Sequence, residues 1–577
     1  MSGGAPVIAQ ATFAATLVDE WARAGVAHAV VAPGSRSTPL ALALAGDERV
    51  ALHVHHDERA AGFVALGVGL ATGVPAVVLT TSGTAAAELH PAVVEASQAR
   101  VPLLVCTADR PPELHHVGAP QAVDQTHLYG RSARWFCQPG VPDPATAHTW
   151  RSLGARAVAE ATGSPPGPVH LDLAFAEPLT GRPGPLPEGR EDGAPWHRAV
   201  GPIRGPVPAE ADRLAELLGA ERGVVVAGPG AARDDPAGVA ALAGAARWPV
   251  LADPGSGCRL PGPTTVAAFD ALLRHRPFAE AQRPEAVLRL GPAPASKALA
   301  RWLAESGARQ VLIEADGRWL DPDRTAAVVV AGSPSGWCRA LAERLGGAGG
   351  GGWLGSWAAA ETAAQAAIEE VLAAHPEPTE PGVARGLAAV LPEGARLVVS
   401  SSMPVRDLEW YAAPRPGLAV LANRGANGID GVVSTAVGVA TATGGPVAAL
   451  VGDLAFLHDA NALLGLAGRG LDLTVVVVDN RGGGIFSFLP QADLLDHERF
   501  EMVLGTPHQV DLVALAGAHG LSATEVAEAA ALAPAVAGAL GAEGTHVVVV
   551  RTDREANVAV HDELHAAVAG ALQTRFR

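Results

Sequence analysis

The sequence predicts an α/β protein built from three open, parallel-sheet domains. Short apolar runs alternate with helix-length periodicity along almost the whole chain, which is the pattern of repeated βα units. A length of 577 residues, with 49% hydrophobic and 18% charged side chains, supplies several packed cores. The segments GVGLATGVPAVVLTTSGTA from Gly67 and VGVATATGGPVAALVGDLA from Val437 both read as a small-residue helix, a Gly/Pro turn and an apolar strand. A duplicated α/β unit accounts for that likeness, with Ala/Gly-rich composition as the alternative.

The first domain is expected over residues 1–185. Periodicity gives a helix over 11–24, a strand over 27–31, a loop over 33–39, a helix on to 45, and a strand over 103–107. A closing strand over 167–179 is expected to leave the sheet. The Pro- and Gly-rich stretch that follows, as far as Trp196, reads as a linker. A central Rossmann-like domain is expected over 200–345, with strands at 223–227, 250–252, 286–290 and 310–314. Its GVVVAGPGAA lacks the third glycine of a dinucleotide fingerprint, so a structural role is expected there. GGAGGGGWLGSW from Gly346 reads as a flexible linker, and the third α/β domain spans 358–577.

A net charge of −17 without any Lys/Arg block argues against nucleic-acid binding. Cys106, Cys137, Cys258 and Cys338 stand far apart with no CxxC spacing, which suits reduced thiols in the cytoplasm. No basic residue precedes Arg23 and no apolar h-region is visible, so no signal peptide is expected. The charge-free spans 60–87 and 431–452 are interrupted by Gly and Pro, so no membrane span is expected.

The chemistry concentrates in VAALVGDLAFLHDANALLGLAGRGLDLTVVVVDNRGGGIF, 447–486. Two strands, ending at Gly452-Asp453 and Asp479-Asn480, flank a helix-length apolar stretch, and parallel pairing brings Asp453 and Asn480 together at the carboxyl edge of the sheet. A carboxylate, an amide oxygen and loop carbonyls are hard donors that suit Mg²⁺ or Mn²⁺, completed by a phosphorylated ligand. Gly482-Gly483-Gly484 allows main-chain N–H groups to approach a phosphate. The plainer reading is a strand-ending turn and an ordinary loop.

In the first domain HVHHDERAAGFVALGVG places Asp57 and Glu58 at a helix entry, where acids favour the macrodipole and cap the helix. Zinc binding by His53, His55 and His56 is an alternative without a partner cluster. PGSRSTPL offers Ser35 and Arg36, TTSG offers Ser82, ADRPPEL offers Arg110 and GAPQAVDQ offers Gln121. SSMPVRDLEW offers Ser402 and Arg406, and LANRGANGIDG offers Arg424. Singly each arginine reads as a surface charge; together they suggest a pocket for several carboxylates.

These motifs, with ADPGSG, GDLAFLHD and DNRGGGIFSFLP, resemble the thiamine-diphosphate-dependent enzymes from about Pro33 to Pro490, with a divergent middle domain. The resemblance implies a pyrimidine-binding, a central and a diphosphate-binding domain. It implies that Asp453, Asn480 and the Gly482 carbonyl hold the metal. Gly-Asp-Leu, where most of the superfamily has Gly-Asp-Gly, points to a subfamily. Glu58 is implied as the catalytic carboxyl that hydrogen-bonds the cofactor's aminopyrimidine ring. Ser82, Ser402, Gly483, Ile485 and Phe486 are implied as further cofactor contacts.

The likeness is most specific to a menaquinone-pathway branch. That implies a transferase that decarboxylates 2-oxoglutarate and adds the succinyl carbanion to isochorismate in a 1,4 sense. Ser35, Arg36, Arg110, Gln121, Ser402, Arg406 and Arg424 would then contact substrate, with Ile485, Phe486 and Leu489 as walls. It further implies a homodimer with active sites between subunits, or a dimer of dimers. Where the family has paired basic residues at a middle-domain helix start, this chain has Lys297-Ala298. The alternatives are another carboligase or 2-oxoacid decarboxylase of acetolactate-synthase type, and a catalytically silent scaffold.

Overall fold

β-Branched and apolar runs bounded by Gly, Pro and Asp become strands throughout the computed structural model, which describes residues 4–199, 205–233 and 235–575. The outer limits expected for the domains at residues 1–3, 200–204 and 576–577 lie outside the described residues. The first sheet holds β1 (His28–Val31), β2 (Ala51–Val54), β3 (Ala76–Thr80), β4 (Leu103–Asp109), β5 (Trp135–Cys137) and β6 (Pro168–Ala174), in the order β2-β1-β3-β4-β6-β5. The second holds β7 (Gly223–Ala227), β8 (Val250–Ala252), β9 (Thr265–Val266), β10 (Ala286–Leu290), β11 (Arg309–Glu314) and β12 (Ala326–Ala331), in the order β12-β11-β10-β7-β8-β9. The third holds β13 (Arg396–Val399), β14 (Ala419–Leu421), β15 (Val447–Gly452), β16 (Leu473–Asp479), β17 (Ser522–Val526) and β18 (Thr545–Arg551), in the order β14-β13-β15-β16-β18-β17.

The chain thus forms three domains, each with a six-stranded parallel sheet. Inner strands such as β3 and β16 are buried at every position, as expected where helices cover both faces. The second sheet has the doubly wound order of dinucleotide-binding folds. The first and third share a different order, strand for strand, which agrees with a duplicated unit.

By compactness the chain divides into two units. One comprises Met1–Pro202, Asn423–Gly444 and Ala455–Leu473; the other comprises Ile203–Ala422, Gly445–Leu454 and Thr474–Arg577. In the first unit the two duplicated helices, Glu58–Thr72 and Val432–Ala442, touch backbone to backbone. A Cβ on Gly67 would lie 2.2 Å from the Thr435 carbonyl oxygen, and one on Gly438 would lie 2.0 Å from that of Val64. Gly67 precedes Pro75 by the same interval as Gly438 precedes Pro446, so the crossing is reciprocal between equivalent positions.

The second unit corrects one expectation outright. Only the start of the run from Gly346 is a loop; a helix covers Gly351–Ala374, with Trp353 and Trp357 buried one turn apart in an apolar cluster. Each helical glycine costs about 1 kcal/mol. Each buried indole returns roughly 4 kcal/mol from the area removed from water, so tertiary burial wins.

The crossover between β15 and β16 is likewise not one helix. It is a short helix, Asp453–His458, followed by 3₁₀ turns at Ala460–Leu463 and Leu466–Gly468. Gly465 and Gly470, with φ of 74° and 60°, turn the chain left-handed and break the periodicity. The strand expected over 167–179 ends at Ala174 and, instead of leaving the sheet, lies between β4 and β5. Beyond it Pro178 has no N–H to continue a ladder.

The irregular stretch after it is anchored on the first unit. The Trp196 N–H donates to Glu20 Oε2 at 2.8 Å, and Arg151 Nε donates to the Pro187 carbonyl at 2.7 Å. The four cysteines are unpaired. Among the described residues no helix is long and apolar enough to cross a membrane.

Candidate active site: two sheet edges of opposite character

β15 and β16 are neighbours, so their carboxyl ends emerge together in the second unit. Asp453 is 2% exposed. The Gly482 N–H is shared by Asp453 Oδ2 at 2.8 Å and Asn480 Oδ1 at 3.2 Å, so both oxygens converge on one donor. Asp453 Oδ1 accepts the Leu454 N–H at 2.6 Å, and His508 Nε2 lies 3.2 Å from Oδ2. Burial pushes the Asp453 carboxyl upward, against the two backbone N–H groups that favour its charge. Asp453, Asp479 and His508 bring their ligand atoms within 4.8 Å of one another, and Arg551 pairs with Asp479.

The glycines of this edge are required by space. A Cβ on Gly482 would sit 2.3 Å from the Gly505 carbonyl oxygen, one on Gly483 2.4 Å from that of Leu504, and one on Gly484 2.6 Å from Asn480 Nδ2. Gly482 also has φ of 155°. A buried carboxylate and a half-buried amide oxygen beside a loop that admits no side chains fit a hard divalent cation with its diphosphate.

Behind the edge, Asn480 Nδ2 donates to Glu380 Oε1 at 2.7 Å, and His561 Nε2 meets Asp407 Oδ1 at 2.7 Å. Burial raises the carboxyls of Glu380 and Asp407, while Asp407 holds the His561 imidazole above its ordinary value despite burial. Ser402 takes a left-handed φ of 76°, and its carbonyl accepts from Arg406. A cavity of about 1210 Å³ opens beside them, lined by Arg406, Ile485 and Leu489 together with Arg274, Lys297 and Arg301. Phe486 is absent from that lining and packs by Gly483; Phe488 takes the wall instead.

The first sheet's edge, within the other unit, carries different groups. After β3 the Ser82 hydroxyl donates to the Gln121 carbonyl at 3.0 Å and accepts from Arg110, and Gln121 Nε2 donates back to the Ser82 carbonyl at 3.1 Å. Gln125 Oε1 accepts the Gly83 N–H at 3.0 Å, while its Nε2 donates to Asp172 at 2.8 Å. Burial lifts Asp172 to about 6. Arg36 donates to the Phe175 carbonyl at 2.9 Å and pairs with Glu177 at 3.2 Å. Burial and then the Arg36 charge lower Arg110, as expected of two guanidiniums that share one field. Ser35 contributes its carbonyl, which accepts from the Thr38 hydroxyl at 2.6 Å.

Glu58 is the first residue of its helix, behind an Asp57 cap that accepts the Ala60 N–H at 3.0 Å. Arg424 stands beside a loop held by Glu95, whose oxygens accept the Gly425 and Ala426 N–H groups at 2.7 and 2.6 Å. His53 lies 3.2 Å from His28, and burial lowers His53 to about 4 and His55 to about 3. Among the described residues His53, His55 and His56 belong to no metal-ligand cluster.

Ser82, Arg110 and Gln121 are thus brought together, as are Asp453, Asn480 and Gly482, and a third group joins Arg406 with Ile485 and Leu489. Glu380, His508 and His561 escaped sequence reading, because each lies remote in sequence from the strand ends it serves; Asp407 stands inside SSMPVRDLEW beside Arg406, and only its buried contact with His561 marks it out. Arg301 was legible in principle, one helical turn after Lys297.

Comparison with known proteins follows the same three-part division. Family models described as "Thiamine pyrophosphate enzyme, N-terminal TPP binding domain", "Middle domain of thiamine pyrophosphate" and "Thiamine pyrophosphate enzyme, C-terminal TPP binding domain" match residues 11–128, 191–399 and 409–550. The chain is 46% identical to a Myxococcus xanthus 2-succinyl-5-enolpyruvyl-6-hydroxy-3-cyclohexene-1-carboxylate synthase, covering 97% of each chain. It is 43% identical to a synthase of the same name from Halobacterium salinarum, over 97% of this chain and 98% of that one. In fold it is similar to benzoylformate decarboxylase from Polynucleobacter necessarius, with a TM-score of 0.72 at 17% identity over 94% of this chain and 98% of the other.

Proposed function

The chain belongs to the family of 2-succinyl-5-enolpyruvyl-6-hydroxy-3-cyclohexene-1-carboxylate synthases within the thiamine-diphosphate enzymes, and on that premise we propose how its residues carry out the reaction. It is a thiamine-diphosphate-dependent transferase of menaquinone biosynthesis, and its substrates are proposed to be 2-oxoglutarate and isochorismate. When bound, thiamine diphosphate supplies the electron sink that lets a 2-oxoacid lose CO₂ and the remaining fragment add to an acceptor.

Asp453, Asn480 and the Gly482 carbonyl would hold Mg²⁺ or Mn²⁺, with Gly483 N–H and its neighbours facing the diphosphate. Glu58 would keep a proton on the pyrimidine ring nitrogen and so favour the imino form of the amine next to it. Ser402, Ile485 and Phe486 are proposed along the thiazolium, and Ser82 near the pyrimidine. Arg36, Arg110, Gln121, Arg406 and Arg424 are proposed to orient substrate carboxylates, with Ser35 at the rim and Leu489 as an apolar wall. Because Glu58 and Asp453 would address opposite ends of one cofactor, we place each site between two subunits of a homodimer, working in the cytoplasm.

The observation that carries this reading is the convergence of Asp453 Oδ2 and Asn480 Oδ1 beside a loop with no room for side chains. Steady-state assays with isochorismate and either 2-oxoglutarate or pyruvate test it. Turnover with 2-oxoglutarate is expected, and turnover with pyruvate alone would contradict it.

A further inference from the structure

Asn480 is useful to a cation only if its oxygen, rather than its NH₂, faces Asp453. The two ends of a carboxamide have nearly the same shape, so packing alone does not choose between them; hydrogen bonds do. On the outer side Asn480 Oδ1 meets the Gly482 N–H at 3.2 Å, a long contact shared with Asp453. On the inner side Nδ2 meets Glu380 Oε1 at 2.7 Å, and Glu380 is 3% exposed. The inner bond is the shorter, is sealed from water, and ends on Oε1, a carboxyl oxygen that accepts the NH₂ hydrogen and so ties that end of the amide inward.

We propose that Glu380 is a positioning residue for the metal site: it fixes the Asn480 carboxamide so that Oδ1 faces the cleft beside Asp453. Glu380 is itself placed by the fold. It opens the helix Glu380–Val390, whose Thr379 side chain accepts the Gly382 N–H at 3.1 Å, so the carboxyl is delivered from a capped, rigid element. Partners of this kind set ligand orientation and typically alter metal affinity about 10–100-fold when removed. The inference rests on Asn480 being a metal ligand.

The test measures Mn²⁺ affinity directly, by the electron paramagnetic resonance of free Mn²⁺, in the full-length protein with thiamine diphosphate present. Asn480→Ala establishes the underlying reading: an unchanged affinity there removes Asn480 from the metal site. Glu380→Leu is expected to weaken Mn²⁺ binding about 10–100-fold. Glu380→Gln, which keeps an accepting oxygen, is expected to stay within about threefold of the parent. Combining Glu380→Leu with Asn480→Ala is expected to cost no more than Asn480→Ala alone.

Because Glu380→Leu removes a buried polar group and can fail to fold, an exchange provides a second arm. Asn480→Asp alone should bind poorly, since two carboxyls would then face each other. Adding Glu380→Gln should restore binding at least tenfold, because the new amide can donate to the new carboxylate. If Asn480→Ala weakens Mn²⁺ binding while Glu380→Leu leaves it unchanged, or if the exchange restores nothing, the positioning role is overturned and the ligand reading survives.

Discussion

The edges of the first and third sheets come from one strand order and carry opposite chemistry. Ser82 follows Pro75 by the same interval as Asp453 follows Pro446, and both sit just beyond an inner strand fed by a glycine-crossed helix. At the first edge a hydroxyl receives a guanidinium, and burial followed by the Arg36 charge holds Arg110 below its ordinary value. At the third edge a buried carboxylate shares an N–H with an amide oxygen and lies near Asp479. One scaffold therefore yields an edge that carries guanidiniums and an edge that carries a buried carboxylate through a change of end residues, with the strand order left alone.

Four variants probe that contrast. Glu58→Gln keeps shape but removes the proton relay proposed beside the first sheet, so kcat should fall about 10²–10⁴-fold. Cofactor binding, read by fluorescence titration, should change little; near-normal turnover would remove Glu58 from the chemistry. Asp453→Ala should weaken cofactor affinity by more than about 100-fold, exceeding the effect usual for a second-layer partner, with a steep dependence on added Mg²⁺. Superimposable titrations with and without the substitution would sink the cation-facing assignment.

Arg110→Ala is expected to lower kcat/KM for one carboxylate substrate by about 10–100-fold, the worth of one or two charged hydrogen bonds. An effect confined to cofactor affinity would mean that the first edge faces the cofactor instead. The smallest change is structural: Gly438→Ala drives a methyl into the Val64 carbonyl and should cost about 1–3 kcal/mol, read as a lower Tm. An unchanged Tm would show that the helix crossing is not a tight constraint.

The sheet edges were legible because strand-ending Gly-Asp and Asp-Asn pairs are local signals, and parallel pairing brings such ends together. The role proposed for Glu58 rests on resemblance alone; the helix entry on which it stands is equally well explained by capping. Burial decided what the sequence hid. Trp353 and Trp357 turn a glycine-rich run into a helix, while Gly465 and Gly470 break a crossover whose apolar spacing reads as continuous. Glu380 and His508 reach Asn480 and Asp453 from distant segments, and no short-range pattern announces such a meeting.

The central claim, that Glu58 of one subunit and Asp453 of another serve a single cofactor, is tested most directly by mixing two inactive proteins. Glu58→Gln and Asp453→Ala homodimers are unfolded and refolded together, and activity is compared with the parent. Random reassortment makes half the dimers mixed, each with one intact site, so about a quarter of parental activity should return. Mixed dimers that form by mass yet stay inactive would contradict the account.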